Sequence, residues 1–187
     1  MGLAGLIFCS TLLLTPEKIE VAKANPIAVP VQEVPFSMKH AEPTGLSIPS
    51  LGIDAPFISL DVKRDGSMET PSDGDTVGWY KHAPTPGELG PAIVAAHVDT
   101  KAGPAVFAKL HLLKPGDTFE ITRADGTLTK FQVNEVKQYP QNDFATKQVY
   151  GNIDYAGIRL ITCGGMFSQS TKRYSHNTII FGSLVSK

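Results

Sequence analysis

The chain is predicted to be all-β, a closed barrel or sandwich of about eight short strands. Three observations lead there. From Gly45 onward, short apolar or alternating segments follow one another with little helical patterning. Turn signals separate them: Ser72-Asp73-Gly74-Asp75, the proline-bounded stretch 84–91, Pro115-Gly116-Asp117 and Asp125-Gly126. A chain of many short strands must also hide its sheet edges, which closure or double layering achieves.

The segments 46–48, 57–60, 92–97, 118–122, 130–139, 158–162 and 178–185 read as strands. Residues 119–133 form one hairpin around Asp125-Gly126. Trp79 and Tyr80 fall in a loop-like segment, as packing residues of a core or rim. Helix is confined to a turn at 105–110 and another at 146–150. Two runs, Pro91-Ala92-Ile93-Val94-Ala95-Ala96 and Gly157-Ile158-Arg159-Leu160-Ile161-Thr162, are continuously apolar enough for buried strands.

The first 43 residues are of another kind. Residues 2–14 carry no charge, and charges begin at Glu17 and Lys18. Thirteen residues fall short of the ~20 that span a bilayer, and no basic residue precedes them. The stretch reads as a short membrane anchor, a cleaved signal or a core helix, and the anchor is preferred. Five prolines from Pro16 to Pro43 (with Pro26, Pro30 and Pro35) exclude a helix and make an extended linker. The expected division is therefore an apolar anchor or signal at 1–15, a linker at 16–43 and a folded domain at 44–187. The first two readings of the N-terminus export that domain, to the outer face of a cell membrane when the segment stays attached.

A formal charge of −1 gives no electrostatic case for nucleic acid. There is no C-x-x-C, H-E-x-x-H, EF-hand or Gly-rich phosphate loop, so neither metal nor cofactor is expected.

What remains is one thiol. Cys163 closes an apolar run and is followed at once by Gly164 and Gly165, as if a strand ended there and a loop, 164–171, began. The other cysteine, Cys9, lies in the N-terminal stretch. An ordinary thiol is only ~3% ionised at pH 7, so a nucleophile needs a base or cation beside it. Of the five histidines, His40 is in the linker, His82 in a Pro-rich turn, His111 in a loop-like context and His176 ahead of the last strand. His97 alone repeats the grammar of Cys163, an apolar strand ending in one reactive side chain, here followed by Val98-Asp99. Strands ending at one rim would join the pair; a satisfied core histidine and a buried cysteine explain the same residues, and more economically on composition alone. Asp99 orients the imidazole or caps the next turn. Arg173, in Lys172-Arg173-Tyr174 before the last strand, is a surface arginine or an oxyanion donor near the same rim.

Taken together these residues resemble the sortases, bacterial surface cysteine transpeptidases. The match is carried by His97 at an apolar strand end, Leu160-Ile161-Thr162-Cys163, and an arginine before the final strand. Finer segments are similar to the class F members: Leu46-x-Ile48-Pro49, Val77-Gly78-Trp79-Tyr80, His97-Val98-Asp99, Gly103-Pro104-Ala105-Val106-Phe107 and Thr162-Cys163-Gly164-Gly165. The resemblance implies a closed eight-stranded β-barrel with Cys163 as nucleophile, His97 as acid and Arg173 as oxyanion donor. Arg173 holds that place as the only arginine after Cys163, because Tyr174-Ser175-His176-Asn177, immediately before the last strand, contains none. The implied substrates are surface proteins with C-terminal LPXTG-like sorting signals, and the implied acceptor is an amine of a cell-wall precursor or a pilin lysine. Membrane tethering through the N-terminus fits the same family. Two other readings stand beside it. An L,D-transpeptidase presents its cysteine as Ser-x-Gly-Cys-x-Arg, whereas Gly-Gly-Met follows Cys163 here. A non-catalytic secreted β-domain would leave Cys163 inert and distant from His97.

Overall fold

The computed structural model describes residues 36–185, so the expectations for the apolar N-terminus lie outside the described residues. Ten strands occur in chain order: β1 (Pro43–Ile48), β2 (Ile53–Leu60), β3 (Val77–Tyr80), β4 (Gly90–Ala95), β5 (Asp99–Thr100), β6 (Gly103–Pro104), β7 (Thr118–Arg123), β8 (Leu128–Pro140), β9 (Ala156–Ser168) and β10 (Arg173–Leu184). Eight of them close a barrel in the order β1-β2-β3-β4-β9-β10-β8-β7, with β1 pairing β7 at the seam. The short β5 and β6 form a separate two-stranded sheet. The closed eight-stranded, almost helix-free fold is as expected, and closure leaves the barrel without a free edge. A 3-10 turn at Leu110–Leu112 and the helix α1 (Thr146–Tyr150) complete the regular structure.

Alternation explains most of the barrel wall. On β8, Thr129, Phe131 and Val133 point inward while Leu128, Lys130 and Gln132 are exposed. Across the Asp125-Gly126 hairpin, Phe119 of β7 stands opposite Phe131, their rings stacked at 5.6 Å.

The pair β4–β9 breaks the alternation because it is parallel and covered on both faces. All six residues of β4 are buried, as are the first seven of β9. Ala92, Val94, Ile158 and Leu160 face the barrel core, together with Leu46, Phe119, Phe131 and Ile180. Ile93, Ala95 and Ile161 face outward and are covered by Leu60, Val149 of α1 and Ile179. Every fully buried Ile or Leu here contributes about 1.5–3 kcal/mol of transfer free energy.

Three expectations require correction. Val77–Tyr80 is not a loop: β3 pairs parallel with β2, where Phe57 stands against Val77 and Leu60 against Tyr80. It is short and its partner is 20 residues upstream, so its apolar pattern alone does not declare it. The helical turn foreseen at 105–110 becomes a 3-10 turn at its far end, Leu110–Leu112. Residues 164–168 are strand, not loop. β9 runs through both glycines to Ser168 and returns by a tight hairpin whose Lys172 N–H donates to Ser168 O. The Gly pair punctuates the strand without ending it. Gly165 takes φ +73°, where only glycine is unstrained, and the β9–β10 register shifts between Tyr174 and His176. A Cβ at Gly164 would run into Thr178 Oγ1, and one at Gly165 into Ser175 Oγ.

The chain meets the barrel ahead of Thr44. Met38 N–H donates to Gly87 O, and the Arg123 guanidinium, 2% exposed at the end of β7, donates to the carbonyls of Lys39 and Ala41. His40 Nδ1 lies 3.2 Å from Glu88 Oε2 on the same seam.

Arg123→Met keeps the volume but strands those carbonyls without donors. Unfolding in urea is expected to show a loss of about 2–4 kcal/mol at unchanged m.

Candidate active site

The parallel β4–β9 register ends in the ladder at Ala95 opposite Ile161. It continues one step further through Ala96 N–H to Ile161 O (3.2 Å) and Thr162 Oγ1 to Ala96 O (2.8 Å). The next residues in register are His97 and Cys163. By alternation both lie on the outward face that carries Ala95 and Ile161. The two side chains that share a sequence grammar are therefore brought to one level, His97 two residues beyond the end of β4 and Cys163 within β9.

Cys163 is a free thiol, half-buried. Asn177 of β10 flanks it on the other side. The side-chain amide of Gln141, in the loop after β8, points Nε2 at the sulfur from 3.9 Å. Burial, and then the nearby Asp99 carboxylate, push the thiol above its ordinary pKa. Asp99 itself accepts a 2.5 Å hydrogen bond from the Tyr174 hydroxyl. That bond, followed by burial and the negative charges of Asp99 and Cys163, raises the phenol to about 12.

His97 is half-buried and turned toward the loop between β2 and β3, where Nε2 donates to Pro71 O at 2.8 Å. Nε2 thus carries a proton. For that proton to turn toward Cys163 the ring must give up Pro71.

Arg173 lies elsewhere. It opens β10, pairs with Ser168 and is exposed, four positions before Asn177, the partner of Cys163. At ~3.3 Å per residue that is about 13 Å along the strand. It forms no ion pair among the described residues. Arg159 sits on the outward face of β9 but is buried under Phe181, its guanidinium 4.7 Å from the ring centroid.

Two cavities lie in this part of the molecule, one of them lined by Cys163 and neither by His97. One of about 880 Å³ lies over the outward face, between the 61–76 and 141–155 loops, with Met68, Tyr80, Ile93, Phe144, Tyr150 and Ile153 among its walls. The other, about 330 Å³, touches Cys163 itself and is walled by Val98, Phe107, His111, Gln138 and Tyr174. Among the described residues no group of three or more His, Cys, Asp or Glu side chains is placed to hold a metal ion.

His111 reads from the sequence as a loop residue, yet it stands in the wall of the thiol's cavity. Gln141 carries no sequence signal at all, since the 139–152 stretch has no readable pattern. The remaining histidines serve locally: His82 bonds to Asp61, and His176 Nδ1 to Ser175 Oγ.

The Sortase domain family model matches residues 46–185. No curated protein is similar enough in sequence to be matched. Among solved structures, sortase C1 of Streptococcus agalactiae, in complex with MTSET, superposes with a TM-score of 0.60 at 20% identity, covering 81% of this chain and 72% of that one. Sortase C-1 of Actinomyces oris gives 0.58 at 20% identity, covering 76% and 73%. Sortase C of Clostridium perfringens SM101 gives 0.56 at 18%, covering 79% and 73%. At these identities the likeness is one of fold.

The environment of Cys163 sets a pH dependence that can be measured without a substrate. Alkylation by iodoacetamide, followed by peptide mass at Cys163, is expected to rise with pH through a midpoint above the ordinary ~8.5 of a free thiol. A midpoint at or below that value contradicts the burial and charge described here.

Proposed function

Because the chain belongs to the sortase family of cysteine transpeptidases, we propose that it cleaves a C-terminal, LPXTG-like sorting signal of a surface protein and passes the acyl chain to an amine. The observation that carries this reading is the β4–β9 register, which sets His97 beside Cys163 on one face. The segments His97-Val98-Asp99 and Thr162-Cys163-Gly164-Gly165 favour the class F members within the family, and the apolar segment 1–15, joined through the 16–43 linker, would supply the membrane tether.

The Cys163 thiolate attacks a backbone carbonyl of the signal, forming a C–S bond. The C–N bond then breaks, and His97 gives its proton to the departing amine. An acceptor amine attacks the thioester, its proton returns to His97, and the thiolate leaves. The 880 Å³ cavity suits the apolar start of the signal. Its wall residue Ile93 lies four positions before His97 on the same face, about 13 Å away, which an extended tetrapeptide spans. Gln141 Nε2 is a donor already at the sulfur. Arg173 fills the oxyanion role only if the 169–172 hairpin end folds over Cys163 when the signal binds.

Incubation with a panel of sorting-signal peptides is expected to give a thioester adduct on Cys163 by intact mass. Cys163→Ala should abolish both adduct and cleavage, and His97→Ala should lower kcat by about 100-fold or more. Cleavage by Cys163→Ala would remove the covalent scheme. An inert Cys163 that captures no peptide would favour the non-catalytic β-domain.

For the arginine, Arg173→Ala is expected to cost about 100-fold in kcat if its guanidinium reaches the oxyanion. An unchanged kcat, with the loss appearing in Gln141→Ala, transfers that role to the amide.

A further inference from the structure

The Tyr174–Asp99 hydrogen bond joins residues 75 positions apart and links two separate hairpins, β5–β6 and β9–β10. Neither residue is needed there for the barrel. Tyr174 is on β10 opposite Phe167, and the two rings pack at 5.1 Å while Phe167 remains exposed. Asp99 is the second residue after His97 and is itself exposed. Tyr174 also walls the cavity that touches Cys163. A carboxylate is thus fixed near the thiol by a hydroxyl from the strand next to the thiol's own.

We propose that Asp99 and Tyr174 are a positioning pair: their bond ties the two hairpins together beside the Cys163 cavity and holds the Asp99 carboxylate near the sulfur, so that the free protein keeps its nucleophile in reserve. The proposal rests on the reading of Cys163 as nucleophile, and it adds a control on when that nucleophile ionises. A fixed negative charge disfavours a second one beside it. Spreading the hairpins breaks the bond and lets the carboxylate leave, which frees the thiol to ionise. Burial holds the thiol protonated in the same direction and is the larger influence. The pair therefore sets the switchable part.

The groups around Cys163 are Asp99 of β5, whose charge reaches the thiol, Tyr174 and His111 in the wall of its cavity, His176 opposite the adjoining Gly164, Gln141 from the loop after β8, and His97 two residues beyond the β4–β9 ladder. The histidines are common to every protein compared and cancel in the comparison.

The test uses the full-length chain and three variants, Asp99→Asn, Tyr174→Phe and the double substitution. The readout is the pH profile of iodoacetamide alkylation at Cys163. Asp99→Asn keeps the side-chain shape and an acceptor for Tyr174 while removing the charge. It should move the alkylation midpoint to lower pH. The reaction at pH 7 should then speed up by about threefold for each pH unit the midpoint falls, because thiolate gained is partly offset by weaker nucleophilicity. Tyr174→Phe removes the bond that holds the Asp99 carboxylate beside the cavity, and should also move the midpoint to lower pH, by no more than Asp99→Asn does. The double variant should match Asp99→Asn, because Tyr174 acts through Asp99.

An unmoved midpoint in Asp99→Asn overturns the proposal, as does a double variant that differs from it. A bond that is merely structural would lower the thermal unfolding midpoint and leave the alkylation profile alone. If Tyr174→Phe fails to fold, Asp99→Asn decides by itself. Since alkylation needs no peptide, failure to turn over sorting signals would count against the transpeptidase reading and not against this one.

Discussion

The molecule is organised around one pairing, the parallel contact of β4 with β9. Parallel strands need a long crossover, and here 60 residues lie between Ala95 and Ala156, holding β5 to β8 and α1. Both strands must be buried on both faces, one against the barrel core and the other against α1 and its loop. That double covering has a chemical consequence. It brings the end of β4 level with the middle of β9 in fixed register, with His97 and Cys163 on the face that the loops enclose. A displacement of one residue in this register would turn one of the two side chains into the barrel.

The site is rigid on the sulfur side and adjustable everywhere else. Cys163 is paired with Asn177 of β10, within a strand that continues five residues past it. Its partners arrive from a loop (Gln141), a small hairpin (Asp99), a 3-10 turn (His111) and the far arm of the β9–β10 hairpin (Tyr174). His97 is turned to Pro71, and Arg173 stays at the hairpin's distal end. The described arrangement therefore holds the Cys163 thiol with the His97 ring on Pro71 and Arg173 at the far end of the hairpin.

The opposite part of the barrel solves a separate problem. Strand β1 closes the seam against β7, and the chain ahead of it is fastened by the buried Arg123, whose side chain serves carbonyls of the incoming segment. Arg123 alternates correctly on β7 as an inward residue, following Phe119 and Ile121. Pattern alone would have put an apolar side chain there. The guanidinium is tolerated because Lys39, Ala41 and Thr127 supply its acceptors.

Composition and periodicity by themselves determined most of the barrel strands (though not β3), the Asp125-Gly126 hairpin, the short helix at 146–150 and the two buried runs, because these depend on neighbours within a few residues. They also linked Cys163 and His97 through a common local grammar, while it was the family resemblance that preferred catalysis to a buried cysteine and a satisfied histidine. Only the tertiary structure decided what surrounds the thiol. Asp99 with Tyr174, and Gln141 with Cys163, meet across 75 and 22 residues, and no period of 2 or 3.6 encodes such meetings. It also decided that Gly164-Gly165 bends a strand instead of ending it, because the bend depends on the register against Thr178 and Ser175. For the same reason it placed Arg173 four positions from the partner of Cys163, where linear spacing had suggested a common rim. Register and strand continuity are properties of pairs of strands, and a single strand's sequence carries only half of each.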